Sequence, residues 1–168
     1  MEVEYHVVKG IKDITFKWID LKDFSRIHDQ IDPNSRNLKV IGLCLNNGRH
    51  VALIRSNKKR FWELPGGKPR PNESWEDTLR REAKEEAQIT LSYITPIGYE
   101  IVSGLDDGTQ YHFGYIAKVC RVDEQKVDPE SGVIFDRKFF DHNYLKYHLK
   151  WGPIIDHLSE LVSQRRII

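Results

Sequence analysis

Three glutamates, Glu82, Glu85 and Glu86, are spaced so that a single helix would present them together. At 3.6 residues per turn, positions i, i+3 and i+4 are neighbours on one helix face. Like charges at these spacings repel each other, and burying an unpartnered carboxylate is strongly unfavourable. A divalent cation bound by the carboxylates would offset both effects, and hard oxygen ligands select Mg²⁺, Mn²⁺ or Ca²⁺. The spacing therefore predicts a metal site.

The segment 74–87 is predicted to be the helix that carries these glutamates. Ser74 followed by Asp77 forms an S-x-x-D capping box, which is typical of a helix N-terminus. On a helical wheel of this segment, the apolar sector consists of Trp75, Thr78, Leu79 and Ala83. Glu82 and Glu86 fall inside that sector, and Glu85 falls at its edge. The basic residues fall on the opposite side, namely Arg80, Arg81 and Lys84. An ordinary solvated acidic face is therefore disfavoured.

A glycine pair and a run of basic residues precede this helix. Gly66 and Gly67 follow Pro65 at a predicted strand end, where the absence of a Cβ lets the backbone approach a ligand. The basic residues around the pair are Arg55, Lys58, Lys59, Arg60, Lys68 and Arg70. Cations beside a carboxylate-bound metal suit a polyphosphate substrate, because they neutralise its charge from the other side. For the run 58–60, a solubilising hairpin tip is an equally good interpretation.

The composition is that of a globular domain. The chain has 168 residues, of which 39% are hydrophobic, 30% charged and 11% aromatic, with a formal net charge of +1. This balance argues against attraction to nucleic acid or membranes by bulk charge. We expect no membrane partner, because no apolar run approaches the roughly 20 residues that a membrane helix needs. Two cysteines, Cys44 and Cys120, lie in apolar stretches and are predicted to be buried thiols, and we expect a cytoplasmic protein.

The pattern of elements divides the chain into an extension and a main body. Residues 4–19 are predicted to form a hairpin, followed by a short helix over 21–31, and the loop 32–35 is the predicted boundary. In the main body, predicted strands cover 38–45, 51–54, 89–103, 110–120 and 133–140, and a terminal helix covers 153–168. Asn46-Asn47-Gly48 predicts a type I′ hairpin turn between the first two strands. Strands before and after a central helix predict an α/β chain of the mixed α+β type.

The segment 67–89 resembles the signature box of the Nudix hydrolases. The match reads Gly67-x5-Glu73-x7-Arg81-Glu82-x2-Glu85-Glu86, so that each charged position of the box is present at the right spacing. The lead-in 61–67 is also similar to the family, and the resemblance covers about 38–141. One position departs, since the family has a glycine where this chain has Gln88. That glycine ends the helix in a left-handed conformation, so the departure concerns the helix exit and not the metal ligands.

The resemblance implies a Nudix fold, with a mixed β-sheet sandwiched between α-helices. It implies a Nudix hydrolase domain over 37–168, including the C-terminal helix, with 1–36 as an extension packed on it. It implies that Mg²⁺ or Mn²⁺ is held by Glu82, Glu85, Glu86 and a backbone carbonyl of the Gly66-Gly67 turn. A further acid from a later loop is expected, and Glu130 is the first candidate, with Asp123 and Glu124 behind it.

The resemblance also implies the remaining site residues. Arg81 and Glu73 would brace the loop and helix, which completes a catalytic set of Glu73, Arg81, Glu82, Glu85 and Glu86. Substrate contacts are expected from Arg55, Gly66, Gly67 and Lys68. Among the aromatic residues, Phe61 and Tyr111 are candidates for stacking on a base, although core packing is the commoner role of such residues.

The activity that the resemblance implies is hydrolysis of a nucleoside diphosphate linked to another group. The sequence marks of the ADP-ribose and dinucleoside polyphosphate subfamilies are missing from the segment 104–108, which favours a nucleoside triphosphate, either ordinary or oxidised, as substrate. The products would be a nucleoside monophosphate and pyrophosphate. Two alternatives stay open: a pyrophosphohydrolase acting on RNA 5′ ends, which would be the one nucleic-acid partner, and a non-catalytic nucleotide sensor. The oligomeric state is open, and the N-terminal hairpin could pair across a homodimer.

Overall fold

The structure is a computed structural model and describes residues 2–10, 12–21 and 37–165. In these ranges, eight strands form one mixed sheet in the order β1-β2-β6-β7-β3-β4-β8, with β5 paired to β3. The strands are β1 Glu2–Lys9, β2 Lys12–Asp20, β3 Leu38–Asn46, β4 His50–Arg55, β5 Gly66–Gly67, β6 Ile89–Ser103, β7 Gln110–Val122 and β8 Asp136–Asp141. The pairing of β3 with β7 is parallel, and the other strand pairs are antiparallel.

Helices cover both faces of the sheet. The helix α1 spans Trp75–Ala87, a 3₁₀ helix spans His142–Tyr147, and α2 spans Pro153–Gln164. On one face, Trp75 of α1 packs against Phe113, with ring centroids 4.0 Å apart. On the other face, Ile154 and Leu158 of α2 belong to a second apolar cluster with Trp18. The predicted fold class, a mixed sheet between helices, is confirmed. Neither α-helix has the length and apolar character needed to cross a bilayer.

The predicted hairpins are present. Asn47 and Gly48 both have positive φ, as a type I′ turn requires, and they join β3 to β4. The N-terminal hairpin also forms, and β2 pairs with β6, so that the hairpin extends the sheet of the main body. The predicted helix over 21–31 lies outside the described residues except for its first position. The division of the chain between residues 36 and 37 stays a prediction.

Three details differ from the sequence-based expectations. The last strand begins at Asp136 rather than at residue 133, because the Asp128 N–H donates to the Val133 carbonyl and closes a loop there. The two-residue strand β5 and the 3₁₀ helix have no periodic pattern and were not expected. Both cysteines are free and Cys44 is buried, but Cys120 is exposed near the end of β7, so the expectation of a buried thiol was wrong for Cys120.

The exit of α1 adopts the strained conformation that the family pattern implies. Gln88 has φ 50° and ψ 43°, which is the left-handed region, and its N–H donates to the Lys84 carbonyl at 3.2 Å. A residue with a Cβ pays about 1 kcal/mol for this conformation, and glycine does not. The chain therefore keeps the geometry of the family's helix exit without the residue that adopts it most easily.

We expect Gln88→Gly to leave the free energy of unfolding unchanged or to raise it by about 1 kcal/mol, because glycine removes the left-handed strain. The matched control is Ala87→Gly, one residue earlier and still helical, which we expect to lower stability by about 1 kcal/mol. Denaturant unfolding of both variants measures the difference. A Gln88→Gly variant as unstable as Ala87→Gly would show that the Gln88 side chain contributes more than its backbone strain costs.

Candidate metal and phosphate site

The helix α1 is fixed so that one of its carboxylates points into the protein. The Ser74 hydroxyl caps the helix by accepting a hydrogen bond from the Asp77 N–H at 3.1 Å. Trp75 and Leu79 are buried against the sheet, and Glu82 on the same side of the helix is only 5% exposed. The helical wheel therefore identified the buried side of α1 correctly, including its unusual acidic member.

Arg81 lies at the centre of the acidic residues. Its guanidinium donates to both carboxylate oxygens of Glu73, at 2.8 and 3.0 Å. It also donates to Glu82 at 2.7 Å, to Glu85 at 3.2 Å and to the Lys68 carbonyl at 3.1 Å. The wheel placed Arg81 on the side opposite the apolar sector, yet its side chain is only 13% exposed. The long side chain folds over the helix surface and brings the charge to the carboxylates.

The glycine pair lies directly against these carboxylates. A Cβ built on Gly67 would lie 2.1 Å from a carboxylate oxygen of Glu82, which is far inside van der Waals contact. The neighbouring Gly66 N–H donates to Glu86 at 3.0 Å. Since β5 pairs with β3 at these two residues, the sheet holds the backbone against α1. Gly67 is thus required by its close approach to Glu82, whereas a Cβ on Gly66 would clash with the Val40 carbonyl of β3.

A later loop brings a further carboxylate to the helix. Oxygen atoms of Glu82, Glu85 and Glu130 lie within 4.8 Å of one another, although Glu130 is more than 40 positions away in the sequence. The loop is shaped by Asp128, which is 4% exposed and accepts hydrogen bonds from the Ser131 N–H at 2.7 Å and from the Ser131 hydroxyl. Glu86 is not in this trio, and instead one of its oxygens is bonded to Gly66.

Most of these acidic residues, though not Glu85, line a cavity of about 370 Å³. Its walls are formed by Lys39, Gly66, Gly67, Lys68, Glu82, Glu86, Asp128, Glu130, Ser131 and Phe135. A second cavity of about 440 Å³ adjoins it and shares Lys39 and Lys68. The second cavity is also lined by His112, whose ring lies 2.7 Å from the buried Glu100. The two lysines therefore lie between the acidic cavity and its neighbour, where both can contact an anion.

Burial and ion pairing shift the acidic residues in opposite directions. Burial raises the pKa of Glu86 to about 8, and the Gly66 N–H opposes the shift only in part. Burial also raises the pKa of Glu82, against the effect of Arg81. Hydrogen bonds from Arg81 instead lower the pKa of Glu73 to about 2. Glu73 therefore stays ionised beside Arg81, whereas burial disfavours the charged forms of Glu82 and Glu86.

The residues at this site fit a hard divalent cation. The converging ligand atoms of Glu82, Glu85 and Glu130 are all carboxylate oxygens, the donor type that Mg²⁺ and Mn²⁺ prefer. No sulfur or imidazole ligand is among them. A dication would supply the charge that the buried carboxylates need, and the cavity beside them leaves room for water and substrate oxygens.

Other predicted residues lie further out. Arg55 is ion-paired with Asp136 at 3.2 Å, and Phe61 is exposed at the surface, so neither lines the acidic cavity. Tyr111 packs against the apolar cluster beneath α1 and lines neither cavity described above. Asp123, a secondary candidate, is paired with Lys84 at 2.5 Å instead.

Two charged cavity residues were missed in the sequence. Lys39 is the only charged residue in the apolar strand 38–45. A single lysine in such a strand is the sequence signal that marks it as a candidate for binding an anion. Asp128 starts the turn Asp128-Pro129-Glu130-Ser131-Gly132, whose composition favours an Asp side chain that bonds its own backbone. That pattern predicts the turn, but it does not reveal that the turn faces α1.

Most of the chain is similar in sequence to known proteins. A model of the NUDIX domain matches residues 35–160. The mRNA-decapping protein of African swine fever virus is 31% identical over 111 residues, which cover 62% of this chain and 44% of that protein. The chain thus spans about half the length of the curated relatives it matches.

Solved structures are similar in fold. The Bacillus subtilis pyrophosphohydrolase BsRppH aligns with a TM-score of 0.63 at 18% identity, covering 95% of this chain and 96% of that one. The NUDIX domain of Shewanella oneidensis NrtR, solved in complex with ADP ribose, aligns with a TM-score of 0.56 at 20% identity, covering 84% and 95%. At these identities the likeness concerns the fold.

We expect Gly67→Ala to weaken Mn²⁺ binding by about tenfold or more, because the new methyl group would displace the Glu82 carboxylate. Isothermal titration with Mn²⁺ measures the change, and thermal unfolding shows whether the variant stays folded. A folded variant with unchanged Mn²⁺ affinity would mean that Glu82 does not need its present position to bind the metal.

We expect the Glu73–Arg81 pair to make stability fall in acid. Since folding lowers the pKa of Glu73 from 4.5 to about 2, its contribution is complete above about pH 4.5 and is lost as the pH falls towards 2. Glu73→Gln should therefore be less stable than the wild type at pH 7 and should show a smaller loss between pH 4.5 and 2. Glu76→Gln, an exposed glutamate in the first turn of α1, is the control, and equal pH profiles for the two variants would contradict the assignment.

Proposed function

Because the chain belongs to the Nudix family, we propose that it is a metal-dependent pyrophosphohydrolase acting on a nucleoside diphosphate linked to another group. The observation that carries this proposal is the trio of Glu82, Glu85 and Glu130, of which Glu82 and Glu130 line one cavity with Lys39 and Lys68. The carboxylates would hold a metal cation, and the lysines beside them would hold an anion. This combination suits a substrate whose phosphates contact both the metal and the lysines.

In this proposal Mg²⁺, or Mn²⁺, is the cofactor. Glu82, Glu85 and Glu130 would hold it, with Glu86 and the Gly66 carbonyl as further ligands on the same side of the cavity. When bound, such an ion lowers the pKa of a coordinated water and neutralises charge on phosphate oxygens. Arg81 keeps Glu82 and Glu85 in place from behind, and the Glu73 pair keeps Arg81 in place.

The lysines would hold the substrate. Lys39 and Lys68 are on the wall that the acidic cavity shares with its neighbour, so a diphosphate placed there contacts both ammonium groups. Because Gly67 has no side chain, the Glu82 carboxylate keeps its place at the wall of the cavity, next to the bound phosphates. This arrangement fixes the phosphorus atom in front of the carboxylates, which is the main contribution that a protein makes to phosphoryl transfer.

The chemical step is hydrolysis of a phosphoanhydride. A water oxygen attacks phosphorus, the bond from phosphorus to the bridging oxygen breaks, and the leaving phosphate or pyrophosphate takes the electron pair. The proton of the water passes to a carboxylate. Glu82 and Glu86, which both line the cavity, are the two candidates for this base.

A nucleoside triphosphate, ordinary or oxidised, is the substrate we propose first, with a nucleoside monophosphate and pyrophosphate as products. The second candidate is the 5′ end of an RNA, on which the same bond is broken at the end of a polymer. The specific observation in its favour is the 31% identity to viral mRNA-decapping proteins. A soluble cytoplasmic setting would suit either substrate.

The first test is a substrate panel with Mg²⁺ and with Mn²⁺. It contains nucleoside triphosphates, oxidised nucleotides, ADP-ribose, dinucleoside polyphosphates, nucleotide sugars and a 5′-triphosphate RNA. Release of pyrophosphate from triphosphates is the expected result, and chelation of the metal should abolish it. Tight binding of a nucleotide without turnover would instead indicate a sensor, and the hydrolase proposal would be wrong.

We expect Glu85→Gln and Glu86→Gln to lower kcat by about two orders of magnitude or more and to weaken Mn²⁺ binding, because each removes a charge beside the cation. Glu160→Gln, an exposed glutamate on α2, is the control and should behave as the wild type. Steady-state kinetics and Mn²⁺ titration measure the two effects. Wild-type rates in both Glu85→Gln and Glu86→Gln would refute the metal assignment.

A further inference from the structure

The strand β1 forms one edge of the sheet. In the part of the chain that the structure describes, its only neighbour is β2, which pairs with it from Glu2↔Ile19 to Lys9↔Lys12. An edge strand presents a row of backbone N–H and C=O groups that can pair with another strand. Because β1 has eight residues, more than the usual five or six or so of a strand, this row is long.

The hairpin turn determines which residues of β1 face the open edge. Lys9 and Lys12 are register partners on either side of a two-residue turn, in which Gly10 has φ 67°. Such a turn closes with a hydrogen-bonded pair, so the backbone groups of Lys9 point towards β2. Hydrogen-bonded and non-hydrogen-bonded pairs alternate along an antiparallel ladder. The groups that point outwards therefore belong to the even-numbered residues, namely Glu2, Glu4, His6 and Val8.

The strand leaves two apolar side chains uncovered, although it is anchored to the rest of the protein. Val3 and Tyr5 pack against the apolar cluster on the α2 side of the sheet, and the Tyr5 ring stacks on Phe16 at 4.7 Å. Further along the strand, Val7 is 42% exposed and Val8 is 73% exposed. Exposed β-branched residues on an open edge favour pairing with another strand.

The charges of β1 select one register for two copies of the strand placed side by side. Only even-numbered residues can pair directly across the new edge, because both strands must turn their outward groups towards each other. In two of the central registers a residue faces its own copy, either Glu4 against Glu4 or His6 against His6. The register between them places Glu4 opposite His6 at two symmetric positions. Opposite charges at directly facing positions stabilise a sheet, and like charges destabilise it, so this register is favoured.

We propose that the protein forms a twofold-symmetric homodimer in which two copies of β1 pair antiparallel, with Glu4 opposite His6. The twofold axis then lies at Tyr5, and Val3 of each copy lies opposite the exposed Val7 of the other. Backbone hydrogen bonds join the two sheets into one, and the facing side chains fix the register. Dimerisation through β1 goes beyond the proposed hydrolysis and does not depend on it.

The first test reverses single charges on the edge. In Glu4→Lys the new lysine faces His6 of the other copy, and in His6→Glu the new glutamate faces Glu4, so each variant alone should dimerise about tenfold more weakly. An equimolar mixture of the two should recover dimerisation, because opposite charges then face each other at both positions. Sedimentation velocity over about a hundredfold range of concentration measures the dissociation constants. Glu76→Lys, which makes the same charge change in the first turn of α1, is the control and should dimerise as the wild type.

The second test blocks backbone pairing without changing any charge. Val8→Pro removes an outward N–H, and proline is tolerated at such a position of an edge strand. By symmetry the dimer loses two hydrogen bonds, so its dissociation constant should rise about tenfold. Val8→Ala keeps the N–H and is the matched control, with a dissociation constant close to that of the wild type. Thermal unfolding shows whether each variant stays folded.

Each outcome decides for or against the β1 interface. A wild-type protein that stays monomeric over the whole concentration range would overturn the proposal. Wild-type association of both single charge variants, or a mixture that does not recover association, would place the interface elsewhere. If either charge variant is unfolded, Val8→Pro and Val8→Ala decide, and equal dissociation constants for these two would overturn the interface. None of the measurements uses hydrolysis, so a failure of the proposed function leaves them unaffected.

Discussion

The arrangement of the site depends on a single guanidinium that is largely buried. Arg81 binds both oxygens of Glu73, one oxygen each of Glu82 and Glu85, and the Lys68 carbonyl. Carboxylates so close together would repel each other, and a charge buried alone would be strongly unfavourable. The planar group of arginine has enough donors for all of them at once. The loop before α1 and the helix itself are thereby joined into one unit.

The sheet adds the second constraint. Because β5 pairs with β3, Gly67 is held so close to α1 that only a glycine leaves room for the Glu82 carboxylate. Glu86 completes the contact by accepting a hydrogen bond from Gly66. The acidic groups are therefore concentrated where the packing is tight. The net charge of +1 is a sum in which the acidic residues of α1 are balanced by the basic residues of the loop before it. That separation suits a substrate that brings both a metal and phosphates.

In the proposed function, chemistry and selectivity would come from different parts of the molecule. The carboxylates on α1 and the 128–131 loop would act on the phosphates, which many substrates share. The groups that could distinguish one substrate from another lie outside the acidic cavity, in the adjoining cavity with His112. A family box at the site is thus compatible with more than one substrate class.

Features encoded within a dozen residues could be predicted, and features that join distant segments could not. The spacing of Glu82, Glu85 and Glu86, the Ser74 cap and the left-handed helix exit at Gln88 depend on local geometry, and the structure has all of them. The inward turn of Arg81, the place of Lys39 on the cavity wall and the approach of Glu130 to Glu82 were decided by the tertiary structure. Helix periodicity constrains only neighbours along the chain, whereas residues more than 40 positions apart meet only once the sheet has set the paths of its loops. The sequence by itself determined which chemical groups the helix carries, and the packing of sheet, loop and helix decided which of them share a cavity.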